Sequence, residues 1–126
     1  MRTANDVIFT AQSLGATVAS APILVENLYL MDIMASWTGA SADGTLKIQV
    51  SDDFPVTGNY NDVVNWSDPI TGGSINPATA VTVSGPGSQR WELGVANGFG
   101  YRWVRMLFTR TSGTGLIDAR FNAKGF

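Results

Sequence analysis

The sequence predicts an all-β protein, a single antiparallel β-sandwich of about eight strands. Three observations carry this. Charged residues make up only 14% of the chain, and fourteen glycines punctuate stretches rich in Thr, Ser, Val and Ile. No segment sustains a helical period. Several short runs alternate apolar and polar residues between clusters of turn-forming residues, as strands with one buried face do. At 126 residues the chain is one domain, large enough to bury roughly two thirds of its unfolded surface without disulfides.

Residues 1–21 read as an N-terminal arm or edge strand, and residues 22–126 as the sandwich domain. A strand at Asp6–Thr10 carries Val7, Ile8 and Phe9, whose apolar area needs a place to be buried, and on the arm reading that place is a neighbouring copy. Thr10–Ala21 is small and uncharged, with Leu14 and Val18 as its only large side chains. Leu24–Trp37 is longer than a typical strand and sets Tyr29, Met31, Ile33, Ala35 and Trp37 opposite Leu28, Leu30, Asp32, Met34 and Ser36, so a bend or bulge is expected within it. In Thr45–Ser51, Leu46, Ile48 and Val50 form one face and Thr45, Lys47 and Gln49 the other.

Further strands are predicted at Asp62–Trp66, Ala80–Val83 and Arg90–Val95, with loops at 67–73 and 84–88. Tyr101–Arg110 and Gly115–Ala123 complete the set. The turn residues Thr111-Ser112-Gly113-Thr114 between them predict a closing hairpin.

The chain has neither Cys nor His, which removes thiol nucleophiles, the usual zinc ligands and imidazole bases together. Glu26 and Glu92 are the only glutamates, and most aspartates stand in turn-like settings. The expectation is a non-enzyme with no catalytic residues and no cofactor. Asp52, Asp53, Asn59, Asn61, Asp62 and Asp68 crowd one region and have the oxygen chemistry of calcium ligands. Their spacing is not that of an EF-hand and no bidentate Glu follows. Asp and Asn are also what turns use to bond their own backbone, so no metal site is assigned. Gly85-Pro86-Gly87, Gly98-Phe99-Gly100 and Gly113-Thr114-Gly115 read as turns rather than phosphate loops, because none opens a helix or precedes a Lys. No apolar run approaches the length of a membrane span or a signal peptide, which predicts a soluble product made in the cytoplasm.

The most informative stretch is Tyr101–Arg110. Val104, Met106 and Phe108 share one face, and Tyr101, Trp103, Arg105, Leu107 and Thr109 the other. Aromatic residues and Arg are enriched where interfaces bury surface, so Tyr101, Trp103, Arg105, Leu107 and Arg110, with Val7, Ile8 and Phe9, form the candidate contact set. The alternative is a central strand whose outer face is covered by the chain's own loops. Of Trp37, Trp66, Trp91 and Trp103, most belong in the core or at interface anchors, although aromatics also stack on sugars. Net charge is −2, which argues against nucleic acid as a partner. Residues 1–89 hold a balance of −6 and residues 90–126 one of +4, a split that either cancels within one domain or draws copies or partners together.

Four stretches also carry a family resemblance: Trp37-Thr38-Gly39; Gly44 through Asp53; Asn65-Trp66-Ser67-Asp68; and Tyr101 through Arg105 followed by Thr109 through Gly115. In this order they resemble small virion proteins of tailed bacteriophages, over most of residues 37–125. The resemblance implies a sandwich or jelly-roll domain. It further implies a capsid decoration or cement protein that self-associates and binds the major capsid protein or another virion protein, at the capsid surface of a virion assembled in the host. Head-fibre and tail components belong to the same group. The order is similar, too, to discoidin-type sandwiches, which implies a glycan-binding attachment module as the alternative. Ser51-Asp52-Asp53-Phe54 and the insertion Pro55–Val64 depart from that second pattern, and no ligand residue carries over.

Overall fold

The computed structural model describes residues 2–26, 28–54, 63–67, 80–94 and 102–125. Among the described residues nine strands form two antiparallel sheets: β1 (Arg2–Ser13), β2 (Val18–Ala19), β3 (Ile23–Leu24), β4 (Leu28–Thr38), β5 (Asp43–Ser51), β6 (Val81–Ser84), β7 (Gly87–Gly94), β8 (Trp103–Ser112) and β9 (Leu116–Gly125). The first sheet has the order β1-β9-β4-β7. The second has the order β2-β8-β5-β6, with β3 also on β8. With β2 and β3 taken as one interrupted strand, this is an eight-stranded jelly roll, in which nearly every connection passes from one sheet to the other.

Alternation explains the core. Leu46, Ile48 and Val50 of β5, Val104, Met106 and Phe108 of β8, Ile33 and Ala35 of β4, and Ile117, Ala119 and Phe121 of β9 are all at most 1% exposed. Trp37 and Trp91 join them from the first sheet. The region read as one long strand from Leu24 to Trp37 is two strands. β3 lies in the second sheet and β4 in the first, and the chain changes sheet across the turn at Glu26, with a register shift between Leu28 and Leu30.

The expected closing hairpin is corrected. β8 pairs with β5 and β9 with β1 and β4, so residues 113–115 join two sheets rather than two neighbouring strands. Alternation fixes which face a residue occupies but not which strand lies beside it. The predicted strand at Asp62–Trp66 is likewise corrected for its described part: residues 63–66 are not strand, and a bridge between Val50 and Ser67 follows them.

The end of the sandwich that carries residues 39–42, 85–86 and 113–115 is built from short crossings. Gly113 has φ +76°, and a Cβ there would overlap the Ser41 carbonyl, so only glycine closes that crossing. Gly39, at φ +117°, approaches the Thr114 carbonyl in the same way. Ser41 ties the two turns together, its Oγ accepting from the Thr114 N–H at 3.2 Å.

Candidate interaction surface

The outer face of the second sheet carries Trp103, Arg105 and Leu107 of β8, and much of it is covered by the chain's own loops. Trp103 is only 8% exposed, and its Nε1 donates to the Asp53 carbonyl at 2.9 Å. Trp103 is therefore a packed residue held under the segment after β5, not an exposed anchor. Arg105 is half-buried. Its guanidinium lies 4.4 Å from the centre of the Trp66 ring, and its Nε donates to Gln49 Oε1 at 2.8 Å, the residue opposite it on β5. Burial pushes the Arg105 guanidinium below its ordinary value, in the sense expected for a cation losing water.

Asp53 organises the cover. Its Oδ2 accepts from the backbone N–H groups of Val64 and Asn65 at 2.8 and 2.9 Å, and its Oδ1 accepts from the Asn65 side chain at 2.8 Å. These bonds to the charged carboxylate, the Asn65 amide first, hold Asp53 below the usual aspartate range. Arg102 closes the edge of the patch. It donates to the Asp53 carbonyl and to Glu26 Oε1, the latter at 2.8 Å, and lies 4.2 Å from the centre of the Phe54 ring.

The acidic residues that resembled calcium ligands thus have another use where they are described: Asp53 staples a loop, and Asp52 accepts from the Arg102 N–H at 3.3 Å. Asn59, Asn61, Asp62 and Asp68 lie outside the described residues. Among the described residues no cluster of three acidic side chains faces a common point.

The remaining predicted contact residues are scattered. Leu107 is half-buried beside Ala19 and Lys47. Arg110 is exposed at the far end of β8, where its Nε donates to the Gly113 carbonyl at 2.9 Å. Phe9 is 5% exposed and faces the core, and Ile8 packs against that core from β1. Tyr101 lies outside the described residues. Only Val7 of the N-terminal trio is exposed, and it sits on the outer face of the other sheet, opposite Arg120.

Leu24 of β3, opposite Trp103, stays 42% exposed on the second sheet, and more apolar side chains are bare on the other face. Val7, Leu30, Met34 and Leu116 are each between 46% and 52% exposed, on β1, β4 and β9. Met34 lines a shallow hollow with Ser36, Asp118 and Arg120. Charges of both signs surround them. Arg90 donates to Asp32 at 2.7 Å, and that bond holds the guanidinium above its ordinary value. The alternation of β4 and β9 already places these side chains outward. The missing signal was coverage, which alternation does not report.

The charge split cancels in part inside the domain, since Arg90–Asp32 and Arg102–Glu26 each join the basic end of the chain to the acidic remainder. No protein-family model matches the chain, and no curated protein matches it. Among solved structures, the SPBc2 prophage-derived protein YomS is similar, with a TM-score of 0.50 and 9% identity over 96% of this chain and 93% of that one. The K1 cleaved adhesin domain of Lys-gingipain from Porphyromonas gingivalis gives a TM-score of 0.42 and 10% identity, over 97% of this chain and 73% of that one. At 9% identity, what the chain shares with YomS is the fold.

Proposed function

We propose that the chain is a non-enzymatic structural component of a phage particle, and specifically a decoration or cement protein that self-associates and binds the major capsid protein. The observation that carries this reading is the set of half-exposed apolar side chains on the outer face of the first sheet, Val7, Leu30, Met34 and Leu116, interspersed with charges of both signs. A rigid sheet face of this kind suits a broad, flat contact with another protein. The prophage origin of YomS supports the phage assignment.

Clamping is the proposed mechanism. A stiff sandwich adds buried area across a junction between capsid subunits, and many copies in a symmetric array add avidity. Electron microscopy of intact particles carrying a label on this chain tests the reading. Label over the head surface is expected. Label confined to fibres or tail, or its absence from particles, overturns the capsid assignment.

A glycan-binding attachment module is the second reading, favoured by the loop-borne Phe54, which is 74% exposed beside Arg102. Binding of labelled protein to host cells that is lost in Phe54→Ala would select it.

A further inference from the structure

The edges of the two sheets differ in a way that bears on self-association. β2 and β3 have two residues each and β6 has four, too short to template a partner strand. β1 is long, but its pairing with β9 shifts register twice, and Ala11 within it has φ +43°, so this edge is bent away from regular pairing. β7 has none of these protections. It pairs with β4 without a break from Gly87 to Gly94, contains neither Pro nor Lys, and has no strand on its other side among the described residues.

The charges on β7 add a second, independent constraint. Trp91 faces the core at 4% exposure, so Arg90 and Glu92 both point to the outer face, where their side chains are 55% and 61% exposed. Like charges two residues apart would repel an identical strand. Opposite charges do the reverse when the strand meets itself antiparallel. Centring the pair on Trp91 places Arg90 of each copy directly opposite Glu92 of the other, at the short cross-strand separation where opposite charges attract.

We propose that β7 is an edge-pairing site for a second copy of this chain, joined antiparallel about a two-fold axis at Trp91, so that two first sheets become one eight-stranded sheet. This deepens the proposed self-association and rests on it. The contact is isologous and closes at two copies. It also sets two copies of the Leu30 and Met34 surface side by side, which is what a clamp across a capsid junction requires.

The test uses the purified full-length chain, without particles, in sedimentation across the micromolar range. Arg90→Glu and Glu92→Arg each put like charges opposite one another in a self-pair, and each is expected to weaken dimerisation about tenfold or more. An equimolar mixture of the two variants restores both attractions and is expected to recover the dimer. Glu92→Arg keeps the Arg90–Asp32 contact, so it remains informative if Arg90→Glu fails to fold. Amide hydrogen exchange of the parent chain is a second measurement, with protection along β7 expected to rise with concentration. A monomeric parent, single variants that dimerise as the parent does, a mixture of folded variants that stays monomeric, or β7 protection independent of concentration each overturns the proposal. These outcomes are read without particles. Label on the capsid of a chain that is monomeric in solution would overturn the β7 pairing and leave the capsid assignment standing.

Discussion

The two outer faces of the sandwich are made from similar strands and end in different states. On the second sheet, the segment after β5 folds back: Asp53 holds residues 64 and 65, Trp103 is tucked beneath the Asp53 carbonyl, and Arg105 meets Trp66. On the first sheet nothing among the described residues folds over Leu30, Met34 and Leu116, and they stay about half exposed. Large residues on an outward face are therefore not in themselves a sign of an interface. What decides is whether the chain supplies its own cover, and among the described residues it does so over Trp103 and Arg105 and not over Leu30, Met34 and Leu116.

Removing β1 is the most severe way to break this contrast. Deleting residues 1–13 strips the outer partner from β9 and takes away buried Phe9, and the expected loss exceeds about 5 kcal/mol, the order of the whole stability of a small domain. Circular dichroism on heating should show no cooperative transition. A truncated chain that melts as the parent does would put Val7 on an arm outside the sandwich.

Trp103→Ala comes next. A nearly buried indole with a satisfied N–H is lost, at about 3–5 kcal/mol, which for a domain of this size lowers Tm by roughly 10 °C or more. Unchanged melting combined with weaker self-association would return Trp103 to the role of an exposed anchor. Arg105→Ala is milder. It removes a cation–π contact and one hydrogen bond at a half-exposed site, about 1 kcal/mol in the melting curve. On the bare face the expected effect on stability is smaller still. Leu30→Ser with Met34→Ser should leave the melting curve within about 0.5 kcal/mol of the parent and yet abolish particle association. Particle binding that survives this pair of substitutions would remove the first sheet from the contact.

Much of the fold was legible because alternation is a local signal. The inward sets of β5, β8 and β9 follow from reading every second residue, and so does the outward placement of Leu30 and Met34. Partnership and coverage were not legible, because they depend on residues far apart in sequence. The crossing at Gly113 looks like a hairpin turn until Ser41, more than seventy positions away, is seen against it. Residues 63–66 have the composition of a strand but lie beside the sheet, where Asp53 holds Val64 and Asn65 and the Val63 carbonyl accepts from the Trp66 indole at 3.2 Å. The burial of two members of the candidate contact set was hidden for the same reason. Trp103 and Phe9 have the chemistry of anchors, and only the assembled fold shows them already in use.

The smallest effect concerns the staple that makes the covered face. Asp53 accepts three hydrogen bonds as a carboxylate, so its folded pKa lies below the ordinary value of 3.8. A depressed acid stabilises the folded form in full above its unfolded pKa, and that contribution fades as pH falls through the lower folded value. The site is open to solvent, so acid should release the clasp locally while the core stays folded. The indole N–H resonance of Trp66 reports this, because Trp66 is held between Arg105 and the Val63 carbonyl. It should stay fixed between about pH 5 and 8 and move only below the ordinary aspartate range. Asp53→Ala should show the acid position already at neutral pH and no further change on acidification. A parent resonance that moves near neutrality, or an Asp53→Ala variant that titrates as the parent does, would assign the transition to another group and leave the cover of the second sheet without its staple.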